Sequence, residues 1–264
     1  MRNDRVRQII VALATLLVII VNVLANALPL NNLTTGEISD RFDVYFTPAA
    51  YVFSIWGLIY LGLIAYSAYQ ALSAQRTNPR LRTIAPWYVL SCVANVVWLF
   101  LWHYEQFPFT VIAMLTLLGS LLVIYLRLGI FRRDVPLAEG WGVHVPFSLY
   151  LGWVTVATIA NISAVLDWAG WGRWGIADEI WALIMLVVAA ALGAAVAVTR
   201  RDAVFPLVTV WSLVGIAVNQ SAVAAVATPA LGLAVLVALV WLVVVFLRLR
   251  ERRPSPGGGP SPRR

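Results

Sequence analysis

Eight apolar runs, each close to the roughly 20 residues that a helix needs to cross the hydrocarbon of a bilayer, make up most of this chain. They fall at 6–30, 48–71, 84–103, 109–129, 143–166, 179–199, 204–226 and 230–249. The short links between them alternate in charge. All nineteen basic residues are arginines, and eight crossings put seventeen of them on one side. That side receives Arg2, Arg5 and Arg7, the groups at Arg76/Arg80/Arg82, Arg127/Arg132/Arg133 and Arg200/Arg201, and the segment from Arg248 onward. Only Arg41 and Arg173 fall opposite. Short loops rich in basic residues stay cytoplasmic, so a multi-pass protein of the cell membrane with both termini cytoplasmic is expected. The fold class is all-α, a polytopic membrane helix bundle of about eight transmembrane helices. A hydrophobic content of 61% excludes an ordinary soluble domain, where about 45–50% is usual.

The formal charge of +7 would suggest nucleic acid in a soluble protein. Here the arginines lie within a few residues of span ends, where anionic headgroups attract them, so the partner implied is the lipid bilayer and not nucleic acid. The single cysteine, Cys92, lies in the middle of a span, and no intrachain disulfide can form. The N-terminus imitates a signal peptide, with Ala25-Asn26-Ala27 as its small-residue site. Its apolar stretch exceeds the roughly 7–15 residues of such signals, which favours a retained first span.

The acids narrow the function. All twelve fall in loops, at termini or at span ends, and none is expected at mid-membrane depth. Ion-coupled transport usually needs an ionisable group there. His103 and His144 lie near opposite ends of the membrane and can share neither a metal nor a catalytic dyad. There is no HExxH, CxxC, GxSxG or phosphate loop. Accordingly no catalytic residue and no metal ligand is assigned, and no cofactor is required.

What the interior holds is amides and aromatics. Asn22, Asn26, Asn95, Asn161 and Asn219 fall within spans, and Trp87/Asn95, Trp153/Asn161 and Trp211/Asn219 share one spacing. An asparagine in hydrocarbon either bonds a neighbouring helix or anchors a ligand in an apolar pocket. Phe53, Trp56 and Tyr60 share a face of the second span, and Ser91, Asn95, Trp98 and Trp102 a face of the third. Two such stripes suit a flat, mostly apolar ligand. Ala189, Gly193 and Ala197 form a small-residue packing stripe. Trp168, Trp171 and Trp174 read either as an interfacial belt or as a lid over a pocket.

The segments PAAYVFSIWGLIY at 48–60, NVVWLF at 95–100 and PFSLYLGWVTVATIAN at 146–161 resemble the tryptophan-rich sensory protein, or translocator protein (TspO/MBR), family. The resemblance covers roughly residues 1–166 and implies a five-helix membrane core that binds tetrapyrroles such as protoporphyrin or haem, or sterol-like ligands. It places ligand contacts at Trp56, Tyr60, Asn95, Trp98, Trp153 and Asn161. Relatives can form homodimers, and some are reported to promote porphyrin breakdown. Departures include the Phe53-to-Trp56 spacing, one residue shorter than the family pattern, and Pro146, seven residues before Trp153 where four is common. The expected organisation is a five-helix core at 1–166, three additional transmembrane helices at 167–249 and a disordered Pro/Gly/Ser-rich cytoplasmic tail at 250–264. The leading functional expectation is a ligand-binding membrane protein with a sensory or regulatory role. A carrier of small hydrophobic molecules, a porphyrin-modifying enzyme and a ligand-free scaffold are the alternatives.

Overall fold

A computed structural model describes residues 3–28 and 30–251. The segment from 252 onward, where most of the disordered tail is expected, lies outside the described residues, as does the side chain of Asn26. The helices are α1 (Asp4–Ala27), α2 (Thr35–Ser39), α3 (Ile55–Ala71), α4 (Pro79–His103), α5 (Phe107–Leu128), α6 (Leu137–Glu139), α7 (Val145–Trp168), α8 (Asp178–Arg200), α9 (Phe205–Asn219) and α10 (Ala224–Glu251). There is no strand among the described residues. Among the described residues seven segments are long and apolar enough to cross a membrane, so the chain is a polytopic helix bundle.

Local chemistry sets the helix ends. The Asn78 side chain accepts from the Arg80 N–H and Pro79 occupies the first turn of α4, where its missing N–H costs nothing. Gly129, at φ +62°, closes α5 in the left-handed conformation that glycine adopts without strain. The link after α1 carries its own short helix, α2, begun by a capping box in which Thr34 and Glu37 satisfy each other's backbone.

Two boundaries differ from the sequence expectation. The run from Pro48 becomes α-helical only at Ile55, after a 3-10 turn at Ala50–Ser54. The run expected to span 204–226 stops at Asn219, and Pro229, read as part of a link, lies inside α10. At 15 residues, α9 is about 22 Å long, short of the roughly 30 Å hydrocarbon thickness. Its last turns are occupied by the chain entering α3. Ala49 N–H donates to the Gly215 carbonyl at 3.0 Å, Trp211 Nε1 to the Val52 carbonyl at 3.2 Å and Asn219 Nδ2 to the Thr47 carbonyl at 3.0 Å.

Contact between α8 and α9 follows from small residues. Ala189, Gly193 and Ala197 are buried, and a Cβ added to Gly193 would sit 2.8 Å from Thr209 Oγ1. Phe205 and Val208 of α9 join Tyr66, Tyr88, Phe147 and Trp153 in the main core, which ties the C-terminal helices to the earlier ones. The start of α9 is closed by Asp202, fully buried in the α8–α9 link. Its carboxylate accepts from Tyr125 Oη at 2.7 Å, Ser148 Oγ at 2.7 Å and the N–H groups of Val204 and Phe205 at 2.7 and 3.1 Å.

The arginine-rich links meet at one end of the bundle. Arg82 pairs with Asp4 across α4 and α1 at 2.5 Å, Arg80 with Glu139 at 2.6 Å, and Arg201 with Glu251. At the other end Arg41 pairs with Glu105 at 2.6 Å, and Arg173 with Asp167 and Asp178 at 2.8 and 3.0 Å. Exposed pairs such as Arg41–Glu105 contribute little stability, typically below about 1 kcal/mol each, whereas the Glu139 carboxylate paired with Arg80 is buried.

Candidate functional site: paired aromatic cavities under a pinned link

Two adjoining cavities lie beneath the link that carries α2. Both are lined by Thr35, Phe53, Trp56 and Trp98. The larger, about 600 Å³, adds Asn22, Val23, Ala27 and Tyr60. The smaller, about 60 Å³, adds Trp102, Trp153 and Asn161.

The walls are built by ring packing. Trp56 stacks on Tyr60 at 5.6 Å between centroids, one helical turn apart on α3. Trp153 of α7 stands edge-on to Trp56 at 6.3 Å and to Phe53 at 5.8 Å. Trp98 stacks on Trp102 at 5.4 Å along α4. Edge-on and offset arrangements satisfy the ring quadrupoles and hold these walls rigid.

The interior amides divide by role. Asn161 accepts from Trp98 Nε1 at 2.8 Å and donates to Thr110 Oγ1 at 2.8 Å, which fixes the indole that both cavities share. Asn95 accepts from Asn22 Nδ2 at 2.8 Å and donates to Tyr150 Oη at 3.1 Å, joining α1, α4 and α7. The interhelical role therefore accounts for Asn95, which is not among the side chains lining either cavity. Trp56, Tyr60, Trp98, Trp153 and Asn161 do line one or both. Of the third amide of the shared spacing, Asn219, the structure makes a clasp on the Thr47 carbonyl at the end of α9. A double-mutant cycle of Asn22→Leu and Asn95→Leu, read by thermal unfolding in detergent, is expected to return a coupling of about 1 kcal/mol. A coupling indistinguishable from zero would remove the energetic meaning of this bond.

One polar atom in the site stands apart. The Trp153 indole Nε1 is buried and has no hydrogen-bond partner among the described residues. Buried indole N–H groups usually find an acceptor.

The roof is pinned by His103, at the end of α4 and fully buried. Its Nδ1 faces the Leu30 carbonyl at 3.1 Å and its Nε2 the Thr35 hydroxyl at 3.1 Å. A carbonyl only accepts, so Nδ1 donates to Leu30, and Nε2 shares a hydrogen bond with the Thr35 hydroxyl. Asn31 Nδ2 donates to the His103 carbonyl at 3.2 Å and Trp102 Nε1 to the Thr35 carbonyl at 3.2 Å. His103, placed by sequence near one end of the membrane, is thus a clamp between link and helix. The sequence contains no local sign of that pairing.

The tryptophan-rich link does not cover these cavities. Trp171, Trp174 and Trp181 pack on one another at 5.1–5.8 Å, and Trp168 stands edge-on to Phe107 at 5.9 Å. Trp171 and Trp181 line a separate cavity of about 140 Å³ with Tyr45, Phe46 and Asp167.

Fold and cavity together define a multi-pass membrane protein whose interior polar groups around the cavity are amides, hydroxyls and indoles. The chain belongs to the TSPO-like protein family, whose model matches residues 8–245. That match takes in the helices beyond residue 166 as well as those before it. No curated protein and no solved structure matches the chain.

Proposed function

We propose that this protein binds a planar hydrophobic ligand, a tetrapyrrole or a sterol-like molecule, in the larger cavity and serves a sensory or regulatory role. The observation that carries the reading is that the Trp56–Tyr60 stack and Trp98 line one mostly apolar cavity of about 600 Å³. Small-molecule sites commonly occupy about 300–1,000 Å³, with aromatic walls and a few polar groups. Trp153 offers a spare N–H beside the smaller cavity. A ligand reaching across both chambers would give that donor an acceptor. Under the rule that basic loops stay inside, the arginine-rich end faces the cytoplasm and the cavities lie toward the opposite surface.

The test is a titration of detergent-solubilised protein with protoporphyrin IX, followed by tryptophan quenching. Saturable quenching is expected, with affinity reduced about three- to tenfold in Trp56→Phe, in keeping with the value of one aromatic contact. Linear quenching that ignores the substitution means the porphyrin only partitions into the micelle, and the assignment fails.

A further inference from the structure

We propose a second site at the arginine-rich end: a cleft that holds the phosphate headgroup of an anionic phospholipid. It is built from the α5–α7 link, the α8–α9 link and the last turns of α10. Two abutting cavities of about 430 and 610 Å³ meet there, sharing Phe131, Asp134, Arg201 and Arg248. Their walls differ in chemistry. The first is mostly apolar, with Leu137, Trp141, Val245 and Leu249, and has Arg133 on its rim. The second carries Arg132, Arg200, Arg201 and Arg248 against the carboxylates of Asp134 and Glu251, the latter paired with Arg201. An amphiphile with a negative head and an apolar body matches both walls at once, whereas a free anion uses only one. Leu137 and Trp141 are 77% and 66% exposed, as side chains that face lipid at headgroup level would be.

An independent observation points to an acceptor inside the cleft. His144 lines the 430 Å³ cavity and is only 2% exposed. Its Nδ1 accepts from the Phe131 N–H at 3.4 Å, so the ring proton is on Nε2. That Nε2 is buried and has no partner among the described residues. A buried donor left without an acceptor is costly and rare. A phosphate oxygen entering between His144 and the arginines would satisfy it with a charge-assisted bond. Basic pockets between membrane helices are suited to anionic lipid headgroups for the same reason.

The experiment uses the full chain, delipidated in neutral detergent, with lipid binding read by native mass spectrometry. Dioleoyl phosphatidylglycerol is expected to bind at least tenfold more tightly than dioleoyl phosphatidylcholine. Arg133→Gln/Arg201→Gln is expected to weaken phosphatidylglycerol by roughly thirtyfold. The control Arg5→Gln/Arg127→Gln, which removes two charges elsewhere at the same end, should stay within about threefold. His144→Phe keeps the ring volume, removes the donor and should cost about tenfold. Equal binding of the two lipids to the unsubstituted protein overturns the proposal whether or not the variants fold. Equal weakening by the control pair overturns the cleft in favour of diffuse attraction. Inorganic phosphate that displaces the lipid at matched concentration overturns the lipid in favour of a free anion.

Discussion

Replacing Asp202 by alanine is expected to lower the stability of the folded protein by about 3–4 kcal/mol, because it strands donors that cannot reach water. The Tyr125 and Ser148 hydroxyls and the first N–H groups of α9 all converge on this carboxylate, and the residue is fully buried. Tyr125 lies on α5, Ser148 on α7 and Asp202 before α9, so one side chain ties three helices together. The loss should appear as a lower midpoint in thermal unfolding followed by tryptophan fluorescence. Burial pushes the Asp202 carboxyl above its ordinary value of 3.8, opposed by the hydrogen bonds from Tyr125, Val204, Ser148 and Phe205. The folded protein therefore holds this proton more tightly than the unfolded chain does. The contribution of the group to stability is greatest below 3.8 and declines as pH rises through the folded value. Asp202→Asn should remove that slope while costing less than alanine at neutral pH. A midpoint for Asp202→Ala within a degree of the parent would show that the donors have other partners.

The second large effect is steric. A methyl group added at Gly215 would lie 2.1 Å from Val52 Cγ2, far inside any tolerated contact. Gly215→Ala must push α9 away from the chain entering α3, at a cost of about 2–3 kcal/mol. That displacement also threatens the Ala49–Gly215 and Trp211–Val52 hydrogen bonds. Shortening Val52 to alanine leaves its Cβ 3.4 Å away, an ordinary contact. The double variant Gly215→Ala/Val52→Ala should therefore be more stable than Gly215→Ala alone, although Val52→Ala by itself destabilises a buried position. Additive losses in the two single variants would mean that α9 yields without strain.

What the sequence discloses depends on the range of the interaction. Helix positions are legible because hydropathy is a local property, and arginine placement sorted the two ends for the same reason. The end of α9 is not. The polar run Asn219-Gln220-Ser221 is followed at once by apolar residues that lead into α10, and nothing nearby shows that Asn219 is taken by Thr47, 172 residues earlier. Pro229 reads as a breaker, yet α10 continues through it from its second turn. In the site, ring spacing on α3 and α4 is enough to bring Trp56, Tyr60 and Trp98 to shared walls. Asn95 lies on the same stripe as Trp98, yet its amide is taken by Asn22 and Tyr150. Its use as an interhelical bond rather than a cavity lining could not be read from spacing. Asp202 was legible only as a loop acid, since burial of a link is a tertiary fact.

The Asn22–Asn95 bond also bears on how the chain is made. Ribosomes deliver α1 to the membrane well before α4, whose partner amide is 73 residues further along. During that interval the Asn95 contact is not available to α1. In the folded protein Asn22 Nδ2 also donates to the Val18 carbonyl of its own helix at 2.8 Å, a bond that needs no other part of the chain. This self-contained bond lets the first helix rest in lipid with part of its amide satisfied, and the later contact then draws it against α4. The intrahelical bond is thus local to α1, whereas the contact with Asn95 depends on a residue 73 positions further along the chain.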